Sequence, residues 1–140
     1  MTKINFYLLS QDDEIARRQF ACRLADKLLR QGIAVQLYTS REEDAIQLDQ
    51  LLWGFTPESF VPHYLMGTDP VAESGVLISW GSPPDAPATL LNLSDNVPEA
   101  PARFAAIAEF VLQDTSSRDH GRELWNLYKT RGFELQHHQM

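Results

Sequence analysis

Cysteine is almost missing from this chain. Cys22 is the only one among 140 residues, which excludes an internal disulfide and any cysteine-based zinc cluster within one chain. It falls in an apolar helical pattern, FACRLADKLL, where a lone thiol behaves as a small buried hydrophobe. Long hydrophobic runs are absent as well. No stretch approaches the ~20 apolar residues that a membrane-spanning helix needs. The N-terminal MTKINFYLLS has too short an apolar run, and no cleavage-site pattern, to read as a signal peptide. A soluble, cytoplasmic protein without a membrane partner is the expectation. Positive charge is in deficit, with 12 Lys and Arg against 19 Asp and Glu and a net charge of −7. That balance disfavours a broad phosphate-binding surface, whose affinity comes from cations that release counterions. A local basic patch remains compatible with it.

Glycine is present but never in a phosphate-binding pattern. None of Gly32, Gly54, Gly67, Gly75, Gly81, Gly121 and Gly132 stands two residues from another. The turn after Leu9 reads Ser10-Gln11-Asp12-Asp13, whose carboxylates would repel a phosphate at a helix N-terminus. No G-K-[ST] motif occurs. Nucleophilic or metal chemistry is no better supported. His137 and His138 are adjacent in a tail after the last helical pattern and do not face one point. His63 follows Pro62 in a loop, His120 sits on a helix, and neither has an evident carboxylate partner in sequence. No cofactor, metal or catalytic residue is expected.

What is present is a core. The chain is 44% hydrophobic and 10% aromatic, enough to fill one domain over residues 1–140. Ile4–Leu9 reads as a buried strand. Asp12 and Asp13 cap a helix to about Gln31, with Ala21, Leu24, Ala25 and Leu28 inward and Gly32 as its stop. Ile33–Tyr38 is a second strand. Ser40 and Glu43 have capping-box spacing for a helix through about Trp53, with Ala45, Leu48 and Leu52 inward. Val76–Trp80 and Thr89–Leu93 read as strands separated by the proline-rich GSPPDAPA. Ala100–Leu112, rich in alanine, reads as a helix, and Ser116–Arg131 as the last. Alternating strands and helices predict an α/β domain with a central, largely parallel sheet and no phosphate-binding loop.

Two segments depart from this plain pattern. Leu51–Met66 places Trp53, Phe55, Phe60 and Tyr64 in what reads as a loop, more aromatic surface than a connection requires. The second is the last helix. At 100° per residue Arg118, Arg122, Trp125 and Lys129 fall within roughly 60° of one another. Leu124, Leu127 and Tyr128 are expected to face the core, and Asp119 and Glu123 to lie on another face. Gly132 should end the helix in a Schellman cap, with Phe133 packing on Tyr128. Lys129 and Arg131 suit the C-terminal end of any helix dipole, whereas Arg118 sits where the dipole disfavours it. Arginines flanking a tryptophan can hold carboxylates bidentately while the indole supplies apolar area. The stripe is suited to an acidic peptide that ends in a hydrophobic residue.

In four places the sequence resembles the chi subunit family of bacterial DNA polymerase III. These are Phe6–Leu9 (F-Y-L-L), Leu48–Trp53 (L-D-x-x-L-W), Glu58–His63 (E-S-F-V-P-H) and Arg122–Phe133 (RELWNLYKTRGF), in matching order and spacing. The resemblance implies a Rossmann-like domain without catalytic activity. Such a subunit joins the clamp loader, through the psi subunit, to the acidic C-terminal tail of single-stranded DNA-binding protein (SSB), touching DNA only indirectly. By position it assigns Trp53 and Phe60 to psi, and Val111, Arg118, Arg122 and Trp125 to the SSB tail, with Lys129 on the same stripe. Position 118 carries arginine where the family usually has lysine, and position 125 tryptophan where it has tyrosine. No role carries over to Glu134–Met140. The alternative from the residues alone is an α/β protein that binds single-stranded nucleic acid, by stacking on Trp125, or a nucleotide.

Overall fold

The computed structural model describes residues 2–54, 61–67, 75–82 and 88–140. Seven strands are β1 (Lys3–Leu8), β2 (Val35–Thr39), β3 (His63–Leu65), β4 (Val76–Trp80), β5 (Thr89–Asn92), β6 (Ala106–Val111) and β7 (Glu134–Gln139). Three helices accompany them, α1 (Glu14–Arg30), α2 (Glu42–Trp53) and α3 (Thr115–Thr130). The strands form one Rossmann-like sheet in the order β3-β4-β2-β5-β6-β1-β7, and every pairing is parallel.

Side-chain alternation divides the core into two layers. Ala21, Cys22 and Ala25 of α1 and Ala45, Leu48 and Leu52 of α2 pack with Leu37, Ile78, Leu91, Ala108 and Phe110 on one face. On the other face Leu124 and Tyr128 of α3 pack with Ile4, Phe6, Leu90 and Ile107. Each fully buried Leu, Ile or Phe contributes about 1.5–3 kcal/mol through burial. Cys22 is fully buried, and desolvation pushes its thiol up to about 12, so it acts as a hydrophobe.

Local signals place the helix ends. Asp13 caps α1 by accepting from the Ala16 amide at 2.7 Å. Asp114 caps α3, its carboxylate accepting from the Ser117 amide at 3.0 Å and hydroxyl at 2.7 Å. At the far end of α3, Gly132 has φ +85°. Its amide reaches the Lys129 carbonyl and the Phe133 amide the Tyr128 carbonyl, which is the expected Schellman pattern. Phe133 packs edge-on against Tyr128 at 5.8 Å.

Several expectations fail for physical reasons. Ala100–Leu112 is not a helix. A 3₁₀ turn at Pro101–Arg103 leads into β6, which lies inside the sheet between β5 and β1. A strand covered on both faces is apolar on both, so its sequence loses the period-two signature and its alanines mimic a helix. Ser40 does not cap α2, whose N-cap is Arg41 without a side-chain bond. The Ser40 hydroxyl instead accepts from the Asp95 amide at 3.3 Å. Glu134–Met140, read as a featureless tail, contains the edge strand β7. Trp53 ends α2 at the expected boundary, whereas Tyr64 and His63 belong to β3 and not to a loop. Phe55 and Phe60 lie outside the described residues.

Candidate functional site

β1 and β6 are neighbours, yet β1 feeds α1 on one face and β6 feeds α3 on the other. Such a reversal opens a crevice at the carboxyl ends of the strands, where α/β sheets bind ligands. A cavity of about 380 Å³ lies there, within the range of small-ligand pockets (about 300–1,000 Å³). Its wall comes from the ends of β1 (Phe6, Leu8, Leu9), β6 (Val111, Leu112, Gln113) and β7 (His137, Gln139), and from Arg118, Gly121, Arg122 and Trp125 of α3.

Gly121 lets the helix come this close. A Cβ at that position would sit 3.0 Å from Val111 Cγ2 and 3.1 Å from Cγ1. Trp125 is half-buried, its indole meeting Phe6 edge-on at 5.2 Å and His137 at 6.0 Å. The interior is therefore apolar, and the cations stand at its rim. Arg118 is exposed and has no ion pair among the described residues. Arg122 does have one, because Nη1 lies 3.1 Å from Asp119 Oδ1. The expectation that Asp119 stays clear of the stripe thus fails, since residues three apart are neighbours on a helix. The pair is exposed and weak, so Arg122 can exchange it for another carboxylate. Leu127, expected in the core, is 39% exposed because it lies on the opposite side of α3 from Trp125.

Of the five residues assigned to this site, the fold brings Val111, Arg118, Arg122 and Trp125 around one cavity. Lys129 is exposed one turn beyond Trp125, outside the lining. His137 and Gln139 were missed, since β7 reads as polar tail. The other family assignment is 64% exposed Trp53 at the end of α2, beside β3 at the opposite sheet edge. Its ring meets His63 edge-on at 5.3 Å. His63 has the carboxylate partner that sequence could not reveal, with Nε2 3.1 Å from Asp49 Oδ1, while Nδ1 lies 2.7 Å from the Val61 carbonyl. His120 likewise has Glu123 at 4.0 Å.

Behind the cavity lies a buried carboxyl. Glu109 of β6 accepts from Asn92 Nδ2 at 2.8 Å and from the Tyr128 hydroxyl at 2.7 Å. Burial pushes it up to about 7 despite those two bonds, and Tyr128 is raised by its own burial and by Glu109. The cleft it borders, about 360 Å³, is also lined by Glu14 and Asp95, with Arg17 beside them. Three carboxyls against one guanidinium make a poor phosphate site. No group of residues able to hold a metal occurs among the described residues. No described helix is long and apolar enough to cross a membrane.

Comparison with known proteins shows the family. Residues 1–136 match the family model described as DNA polymerase III chi subunit, HolC. The DNA polymerase III subunit chi of Pseudomonas aeruginosa is 38% identical over 141 aligned residues, covering 100% of this chain and 98% of that protein. The subunit chi of Escherichia coli is 30% identical, with 96% of each chain covered. That of Haemophilus influenzae is 29% identical, covering 93% of this chain and 92% of its own. The chain belongs to the DNA polymerase III chi subunit family, accessory subunits of the replicative polymerase.

Proposed function

We propose that this chain is a non-catalytic, single-domain cytoplasmic adaptor that seats the acidic C-terminal tail of SSB in the cavity beside Trp125. Trp53 and Phe60 are assigned to contact with the psi subunit and so with the clamp loader. The observation that carries the reading is the convergence of Val111, Arg118, Arg122 and Trp125 on one apolar cavity with a cationic rim. A terminal phenylalanine fits that chemistry. Its ring would leave water against Val111, Phe6 and Trp125, and its carboxylate would meet the guanidiniums in charge-assisted hydrogen bonds. Acidic residues upstream would then face the rest of the basic stripe. Lys129 acts at longer range because it does not line the cavity.

Calorimetry with an acidic peptide ending in phenylalanine tests the reading. Arg122→Ala should weaken binding by about 2 kcal/mol, near thirty-fold. Amidating the peptide's terminal carboxylate should weaken it similarly, and added salt should lower affinity. Unchanged affinity in the Arg122→Ala protein would remove the basis for the assignment. Direct capture of single-stranded nucleic acid is disfavoured by the net charge of −7 and by an indole packed between Phe6 and His137.

A further inference from the structure

β7 closes one end of the sheet, and among the described residues no strand pairs with its outer side. Two hydrogen bonds fix which of its backbone groups are free. The Met140 amide donates to the Leu8 carbonyl at 3.0 Å, while the Leu9 amide donates to Val111 of β6 at 2.9 Å. In a parallel ladder alternate residues point their N–H and C=O to the same side. Gln136, His138 and Met140 therefore turn inward to β1. Leu135, His137 and Gln139 present their backbone groups to the open edge.

The same three residues pair in register with Ile4, Phe6 and Leu8, so their side chains stand on the α3 face. His137 and Gln139 line the cavity. The free backbone groups thus begin at its mouth. Two devices that commonly blunt an edge are missing, for Glu134–Gln139 contains no proline and no lysine. Alongside runs the basic stripe of α3. From Arg118 to Lys129 the helix rises about 16 Å, the length of about five extended residues. Lys129, which has no place in the cavity, stands at the far end of that length.

We propose that the acidic peptide binds as an eighth strand, parallel to β7, with its C-terminal side chain in the cavity and its backbone paired to Leu135, His137 and Gln139. This rests on the cavity being the peptide's terminal anchor. Acidic side chains on its α3-facing side then follow Arg122 to Lys129, which assigns Lys129 to the upstream residues. Strand addition supplies affinity through main-chain bonds that do not depend on the peptide's sequence.

Amide hydrogen exchange read by NMR tests this on the intact protein, using a synthetic peptide of consecutive aspartates ending in leucine and phenylalanine. With peptide saturating, exchange at Leu135, His137 and Gln139 should slow about tenfold or more, while Gln136 and His138 change little. Lys129→Ala should weaken this peptide several-fold and leave a version cut back to its last two residues unaffected. Arg122-dependent binding with those three amides exchanging at the free rate overturns strand addition and leaves the cavity reading intact. No binding, or binding indifferent to Arg122→Ala, overturns both. Protection that grows with protein concentration without peptide assigns the edge to a second copy, and also overturns the proposal.

Discussion

The two edges of this sheet carry a tryptophan each, in opposite settings. Trp125, at the β7 edge, is held between Phe6 and His137, with Arg118 and Arg122 before it and Lys129 after it along α3. Trp53, at the β3 edge, is 64% exposed and lies two turns from exposed Ile46 on a helix whose first turn is acidic. One edge offers a concave apolar cavity with cations at its rim. The other offers open apolar area. Six strand spacings of about 4.8 Å separate β3 from β7, or roughly 29 Å. Ligands at the two edges therefore need not compete, which is what a linking subunit requires.

The sharpest way to break the comparison is a crossed pair of substitutions. Arg122→Glu should cost several kcal/mol in peptide binding, since it sets like charges against each other. In pull-down experiments it should leave psi binding unchanged. Trp53→Ala should do the reverse, lowering psi binding and sparing the peptide. Either variant affecting both partners equally would mean that the edges are not independent.

Both edges depend on the strands between them, and there Glu109 makes stability sensitive to pH. Its folded value, about 7, lies above the ordinary 4.5. Between those values the folded state holds the extra proton, so stability falls as pH rises through that window and levels off above it. The loss should be about 3 kcal/mol. Denaturant titrations across pH 4 to 8 (roughly the window set by that shift) should show the slope, and Glu109→Gln should remove this part of it.

A smaller effect is expected at the cavity wall. Gly121→Leu forces a side chain against Val111 and should destabilise the fold by about 1–3 kcal/mol. It should also weaken the peptide while sparing psi, read by melting and by calorimetry. Smallest is Asp119→Asn, which frees Arg122 from its ion pair and should tighten peptide binding a few-fold, given the ~0.2–1 kcal/mol of exposed pairs.

These sites were unequally legible in the sequence. The stripe on α3 is local, so helix periodicity and the Gly132 stop suffice to find Arg118, Arg122 and Trp125 together. The cavity beneath them is not local. Its floor is Val111, on a strand that reads as an alanine-rich helix because both its faces are covered. Its far wall is β7, whose ELQHHQ has one aliphatic residue and becomes a strand only by pairing with β1. Angle alone misplaces Asp119, since a helix position roughly 60° from Arg122 still reaches it, and Leu127, which falls roughly 80° off the Leu124 and Tyr128 face and so stays exposed. At the other edge the motif through His63 was visible, whereas the contact with Asp49 arises only when α2 packs beside β3.

The three tryptophan indoles allow the central claim to be tested in one spectrum. Trp53, Trp80 and Trp125 each give one indole N–H resonance, and an acidic peptide ending in phenylalanine can be titrated while all three are watched. Capture in the cavity predicts that the Trp125 signal shifts and saturates together with the amides of Val111, Gly121 and His137, with Trp53 and Trp80 unmoved. A saturating shift at Trp53 with Trp125 still would contradict the account.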